Sequence, residues 1–228
     1  MRIAKYISNS GQCSRREAEK LIIDKKIKIN NKICLHPSEK VKDNDVVKIN
    51  NKIIKLEKII RLWKIYKPIK YICSNKDRNN RKLIFNLIPK NFPRLISIGR
   101  LDFMSEGLLL LTNNGDFARK LELPKSNYER IYRVCIRGSI SKKDIDKINQ
   151  GIIIDKLKYQ KIQIRIEKKN TPFTWIIVKL REGKNREIRK ICEQFSWQIN
   201  KLIRIKYGPY KLSNLKIGQI EEIKNINI

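Results

Sequence analysis

The apolar residues of this chain come in short runs, and that limits its fold more than any other feature. Tyr132, Val134 and Ile136 fall on one face of an extended segment, with Arg133 and Arg137 on the other. Ile162, Ile164 and Ile166 repeat the alternation. Residues 62–66, 108–111, 173–180 and 202–207 add further runs of strand length. None approaches the roughly 20 apolar residues that a membrane-spanning helix needs. Strand-like segments outnumber helical ones, and hairpin-length connections dominate. Such segments bury their apolar faces by pairing into a sheet and packing helices on it. The chain is therefore expected to be α+β, with a mixed, largely antiparallel sheet flanked by helices.

Local signals punctuate these runs. Ser14-Arg15-Arg16-Glu17 has the form of a capping box, in which Ser14 and Glu17 satisfy orphan amides at a helix start. Ala18, Leu21 and Ile22 follow at helical spacing, and a shorter amphipathic segment, residues 3–7, precedes them. Lys28-Ile29-Asn30-Asn31-Lys32-Ile33 recurs as Lys48-Ile49-Asn50-Asn51-Lys52-Ile53. Asn-Asn tolerates the left-handed backbone of a tight hairpin turn, so two hairpins are expected. Residues 1–60 thus read as one small α+β unit and residues 61–228 as a second, joined near residues 56–61 by a linker without Gly/Ser character. In the second unit Lys67-Pro68 breaks the first strand, because proline lacks the ladder donor. Residues 75–82 read as an exposed basic loop, and Asn113-Asn114-Gly115 as a turn before a helix starting at Asp116. Ser141 caps a helix that Gly151 ends. Residues 183–192 are a turn entering a basic helix, and residues 202–207 are the last strand expected.

Charge narrows the partner. Lys and Arg total 53 against 22 Asp and Glu, a formal net charge of +31. Like charges repel in a compact chain, and a polyanion, above all a nucleic acid, relieves that repulsion. Part of the Lys excess follows the Ile and Asn richness that A/T-rich codons give; the Arg residues do not. The rival partner for a basic protein, an anionic membrane surface, has no spanning segment to support it, and Met1-Arg2-Ile3-Ala4-Lys5 opens no signal peptide. The five cysteines are scattered and never CxxC, which reads as small buried hydrophobes in a reducing, cytoplasmic setting. The single histidine, His36, stands beside Pro37 and argues against a metal centre or a His-based triad.

One constellation carries chemistry. Ile98-Gly99-Arg100-Leu101-Asp102 is followed by Glu106-Gly107-Leu108-Leu109-Leu110-Leu111-Thr112-Asn113. Taken bare, Asp102 is an acid in a loop between apolar segments, and a solvated turn aspartate is the better reading. In context the segment resembles the G-R-L-D…G-L-L-L-L-T-N-D-G signature of the RsuA/RluB family of rRNA pseudouridine synthases. The likeness covers nearly the whole chain. Residues 2–53 resemble an S4 RNA-binding domain. Tyr66-Lys67-Pro68 resembles the family's N-K-P, and Glu129-Arg130-Ile131-Tyr132-Arg133-Val134 its E/K-x-Y-x-V segment. Arg181-Glu182-Gly183-Lys184-Asn185-Arg186-Glu187-Ile188-Arg189-Lys190 resembles its E-G-R/K-N-R-x-V-R-R motif, and Tyr207-Gly208-Pro209 its closing G-P. Asn114 stands where Asp is usual, Ser105 where Thr is common, and Ile69-Lys70-Tyr71 where a Gly often turns the chain.

The resemblance implies roles. Asp102 becomes the nucleophile that acts on the ribose while the base leaves, rotates and reattaches through C5. Tyr132 stacks on the target base, Lys184 pairs with Asp102, and Arg100 fills the stack that the flipped nucleotide leaves. Physical chemistry is consistent with each role. A uridine within folded RNA hides C1′ and C5 until it is flipped out. A planar guanidinium stacks in the gap, and a cation beside a carboxylate favours its charged form. Isomerisation consumes no redox equivalents, and no cofactor and no metal are expected. Arg2, Lys5, Arg15, Arg16, Lys28, Lys32, Arg186 and Arg189 are candidate RNA contacts, with Arg15 and Arg16 favoured by their place at a helix start. The expected partner is ribosomal RNA or a ribosomal assembly intermediate, bound by a monomer without membrane attachment. The segments 181–190 and 202–209 look closer to the 23S enzymes than to the 16S one. The alternative is a non-catalytic S4-type RNA-binding ribosome-assembly factor; retention of Asp102 and of a nearby cation argues against it.

Overall fold

The computed structural model describes residues 1–226; residues 227 and 228, at the end of the second expected unit, lie outside the described residues. The chain begins with α1 (Ile3–Asn9), α2 (Arg15–Ile23), β1 (Ile27–Ile29), β2 (Lys32–Ile33), β3 (Val47–Ile49) and β4 (Lys52–Ile54). It continues with β5 (Leu62–Lys67), β6 (Tyr71–Ile72), β7 (Lys82–Leu83), β8 (Ile96–Ile98), β9 (Glu106–Thr112), α3 (Gly115–Glu122) and β10 (Arg130–Arg137). Then come α4 (Lys142–Asn149), β11 (Ile152–Ile154), β12 (Leu157–Tyr159), β13 (Gln163–Asn170), β14 (Phe173–Leu180), α5 (Glu187–Gln194), β15 (Gln198–Tyr207), β16 (Tyr210–Lys211) and β17 (Ile220–Ile223).

The first four strands form an antiparallel sheet in the order β2-β1-β3-β4. Both Asn-Asn pairs sit at positive φ, between 47° and 68°, as the two hairpins require. The capping box is formed: Glu17 N–H donates to Ser14 Oγ at 3.2 Å, and Ser14 N–H donates to Glu17 Oε2 at 3.0 Å. Ile3, Ile7, Ala18 and Ile22 from the two helices close against Ile27 and Val47 of the sheet.

Among the described residues, nine strands form the main sheet, in the order β13-β14-β10-β15-β9-β5-β17, with β16 beside β15 and β8 beside β9. Its described pairings are antiparallel except for β15 with β9. On one side α4 and α5 pack through Ile145, Ile148 and Ile191 onto Val134, Ile136 and Ile176. Trp63, Ile65, Leu109 and Leu111 extend that side's core. On the other side Phe117 and Leu121 of α3 pack onto Leu108, Leu110 and Tyr207.

Three sequence expectations change. Lys67 ends β5, and the break falls after it. Asn114 is the N-cap of α3, its side chain accepting from Phe117 N–H at 2.9 Å. Residues 202–207 belong to the longer β15, which is not the last strand, since β17 pairs antiparallel with β5 at the sheet edge. Glu222 there takes a forked pair of bonds from Arg61, each 2.6 Å. The linker is pinned at its end: Arg61 N–H donates to Asn113 Oδ1 at 2.9 Å, and Asn113 Nδ2 to Ile59 O at 2.8 Å. Exposed pairs Lys5–Asp116 (2.8 Å) and Lys76–Glu17 (3.3 Å) join the N-terminal elements to the rest.

Candidate active site

A loop, residues 99–105, connects β8 to β9 and is held from four directions. Gly99, at φ +69°, donates its N–H to Glu122 Oε1 at 2.6 Å. Leu101 N–H donates to Cys73 Sγ at 3.5 Å. Lys67 comes up from the sheet with no exposed surface, and its ammonium donates to three carbonyls: Pro68 (2.9 Å), Asp102 (3.1 Å) and Ser105 (2.7 Å). Burial pushes that ammonium down to about 8, against the pull of Cys73, Asp102 and Glu106.

The fourth hold is Arg189. Its Nε donates to Asp102 Oδ2 at 3.3 Å, and its Nη2 donates to Met104 O at 2.9 Å and Ser105 Oγ at 3.1 Å. The Arg189 side chain is 13% exposed and that of Asp102 37%, so the cation is largely enclosed while the carboxylate opens outward. Arg189 lies in the first turn of α5, whose N-cap residue, Arg186, is left-handed, φ 51°.

Asp102 opens onto a cavity of 850 Å³, within the size range of small-ligand sites. Tyr132, Leu180 and Leu202 give it apolar walls, and Arg100, Arg130 and Arg204 bring guanidinium groups to it. Tyr132 pairs across the sheet with Val178 on β14 and Arg204 on β15. Arg204 is buried, its Nε donating to Leu108 O at 2.7 Å. Asp77 and Arg81, paired at 2.6 Å, also line the cavity, so residues 75–82 form part of its wall.

Lys184 is placed differently from expectation. Its ammonium pairs with Glu182 at 2.8 Å, lies 5.0 Å from the centre of the Tyr159 ring and bonds the Lys158 carbonyl. The expected Lys184–Asp102 ion pair is therefore corrected to Arg189–Asp102. The reason is local: Lys184 precedes the left-handed turn at Arg186 and faces β12, whereas Arg189 follows that turn and faces the loop. Beneath them Glu187 is 4% exposed, and its Oε2 accepts from Lys184 N–H at 3.1 Å. Burial and the nearby Glu182 push the Glu187 carboxyl up to about 8.

The other candidates are dispersed. Arg100 is exposed at the cavity, and Arg186 pairs with Glu193 at 3.3 Å. Arg2, Arg15, Arg16 and Lys32 are exposed on the N-terminal elements, Arg15 lying 3.7 Å from Glu19. Lys5 is engaged with Asp116, and Lys28 donates to Asn51 Oδ1 at 3.1 Å. Lys67, Glu122 and Arg204 escaped the sequence analysis as site residues. Strand periodicity carries a signal for Lys67, which shares a face with Trp63 and Ile65. Among the described residues, no group of three or more His, Cys, Asp or Glu is placed to hold a metal ion, and no helix is long and apolar enough to cross a membrane.

Comparison with known proteins bears on this arrangement. Residues 61–194 match the family described as RNA pseudouridylate synthase, and residues 1–47 match the S4 domain. A protein of Rickettsia bellii called an uncharacterized RNA pseudouridine synthase is 49% identical, over 97% of this chain and 96% of its own. The ribosomal large subunit pseudouridine synthase B of Bacillus subtilis is 33% identical, over 97% of this chain and 91% of its own. Among solved structures, one titled as a pseudouridylate synthase shares the fold with a TM-score of 0.69 at 22% identity, covering 98% of this chain and 96% of the other.

Proposed function

This chain belongs to the RNA pseudouridylate synthase family, and we propose that it converts uridine to pseudouridine at a specific position of ribosomal RNA, in the 23S rather than the 16S molecule. The observation that carries the reading is the Asp102–Arg189 pair, held at the mouth of a cation-ringed cavity that Tyr132 also lines. In this reading the target uridine flips into the cavity and Arg100 takes its place in the stack. Tyr132 lies against the base. Asp102 attacks C1′ and displaces N1 of the base, the base turns, and C5 then displaces the Asp102 carboxylate from C1′; C5 loses its proton and N1 ends protonated. Arg189, and not Lys184, keeps Asp102 paired and aimed.

The division of labour follows the two sheets. Residues 1–60 hold RNA through exposed cations such as Arg15 and Arg16, and residues 61–228 perform the isomerisation in the cytoplasm, as a monomer. Relatives named for the ribosomal large subunit align with this chain over nearly their full length, which supports the 23S assignment. The test is tritium release from rRNA carrying label at uridine C5, with sequencing-based pseudouridine mapping to name the site. Asp102→Asn is expected to release none; release at the wild-type rate would overturn the mechanism.

A further inference from the structure

The side of the main sheet turned away from the cavity is open over β13, β14 and β10 and at the Lys201 end of β15. On β13, β14, β10 and β15, the helices α4 and α5 cover the face that carries Val134, Ile136 and Ile176. Strand alternation places Arg133 and Arg137 of β10 on the opposite face, with Trp175 and Lys179 of β14. By the same registers Arg165 and Lys168 come from β13, and Lys201 and Lys206 from β15. Among the described residues, no helix packs there against β10, β13 or β14.

Among the described residues this face has seven cations and two carboxylates, Glu167 and Glu129, an excess above the chain's overall 53 to 22. Glu167 is spent on Arg133, at 2.5 Å, and the Arg133 guanidinium lies 4.3 Å from the centre of the Trp175 ring. Lys206 lies 3.9 Å from Glu129. Arg137, Arg165, Lys168, Lys179 and Lys201 make no ion pair among the described residues, and four of them are exposed. Phe173 stands beside Trp175 on the same face, both partly exposed.

We propose that this open face binds a second, single-stranded segment of the RNA substrate. Its cations follow the phosphates, and Trp175 and Phe173 give the bases a surface to stack on. A sheet face with partly exposed aromatic rings among cations, five of the seven unpaired among the described residues, suits an extended strand of alternating phosphates and bases. Neighbouring strands are about 4.8 Å apart, so four of them span roughly 14 Å, enough for two or three nucleotides side by side. The inference rests on the reading of RNA as substrate, and its test does not depend on turnover.

The test uses the full chain and a single-stranded oligouridine. Trp63 and Trp197 are 1% and 8% exposed, so quenching of tryptophan fluorescence by the oligonucleotide reports on Trp175. Quenching is expected, and Trp175→Phe is expected to abolish it. The triple variant Arg165→Gln, Lys168→Gln, Lys201→Gln is expected to weaken binding about tenfold and to reduce the slope of log affinity against log salt by about 2. A control with Lys90→Gln, Lys143→Gln and Lys216→Gln should leave both nearly unchanged. Tritium release from a short stem-loop substrate should be unchanged in the triple variant, while release from a long rRNA fragment should show a raised KM. Equal losses in the control, or quenching that survives Trp175→Phe, would overturn the proposal. So would binding of polyglutamate as tight as that of RNA, which would mark a surface for an acidic protein. Absence of tritium release from wild type, with quenching intact, would sink the catalytic reading alone.

Discussion

Arg189 Nε stands 3.3 Å from Asp102 Oδ2, and the same guanidinium grips Met104 O and Ser105 Oγ. One side chain therefore pairs the carboxylate and fixes the backbone just beyond it. Removing it loses both effects. Arg189→Gln is expected to lower kcat for tritium release about 100-fold or more, the scale seen when a fixed charge-bearing donor leaves an active site. Arg189→Lys keeps the charge without the fork, so it should recover only part of the loss. Lys184→Gln, whose partners are Glu182 and Tyr159, is expected to stay within about fivefold, since it breaks an ion pair that is not at the reacting carboxylate. A larger loss from Lys184→Gln than from Arg189→Gln would reverse the assignment.

Lys67 is a buried ammonium bonded to carbonyls and, among the described residues, to no carboxylate. Replacing it with an apolar chain of similar length removes a costly desolvated charge but leaves three carbonyls, two of them in the loop, without that donor. The second effect should win, because each buried acceptor loses a charge-assisted bond. Lys67→Met is expected to cost about 2–4 kcal/mol in urea denaturation. It should also lower kcat, since the Asp102 carbonyl is one of the three anchors. A variant as stable and as active as wild type would show that Lys67 does not position the loop.

The two glycines flanking the loop should respond differently. Both have positive φ, +69° at Gly99 and +102° at Gly107. Open space surrounds a Cβ at Gly99, so Gly99→Ala pays backbone strain alone, about 1–2 kcal/mol. A Cβ at Gly107 would run into the Arg204 carbonyl and lie 2.8 Å from its nitrogen, where β9 pairs in parallel with β15. Backbone on both sides leaves nothing flexible to yield. Gly107→Ala is therefore expected to lose about 3 kcal/mol or more, or to fail to accumulate as folded protein. Equal stabilities of the two variants, measured side by side by thermal melting, would contradict the close approach.

These contrasts mark where the amino-acid order was informative. Elements were legible where local chemistry alone decides them: the Asn-Asn hairpins, the Ser14 cap, and the strand that sets Tyr132, Val134 and Ile136 on one face. Strand β17 was hidden because Ile220-Glu221-Glu222-Ile223 does not alternate; its glutamates serve Lys64 and Arg61 across the sheet edge. The cation at Asp102 was hidden for a different reason. Lys184 and Arg189 lie in one basic motif, and the turn at Arg186 decides which of them faces the loop. Lys67 is in phase with the core face of β5, but in the sequence it reads with Pro68 as a strand break, because a lysine on a core face is rare unless it finds partners.

Glu187 makes the stability of the fold depend on pH in a window of its own. Its carboxyl rises from an ordinary value of 4.5 to about 8, first through burial and then through Glu182. Between those values the folded chain holds a proton that the unfolded chain has released, so stability falls as pH rises through the interval. Glu182 shifts downward, which confines its effect below the ordinary carboxylate range, and Lys67, lowered from 10.5 to about 8, acts only above pH 8, where stability rises with pH. Melting across pH 5 to 8 should therefore show a decline on the order of 2–4 kcal/mol that belongs to Glu187. Glu187→Gln retains an acceptor for Lys184 N–H and does not titrate. Its profile should be flat over the same range and should exceed wild type most at pH 8; an unchanged slope in the variant would show that the wild-type carboxyl is already ionised at pH 5.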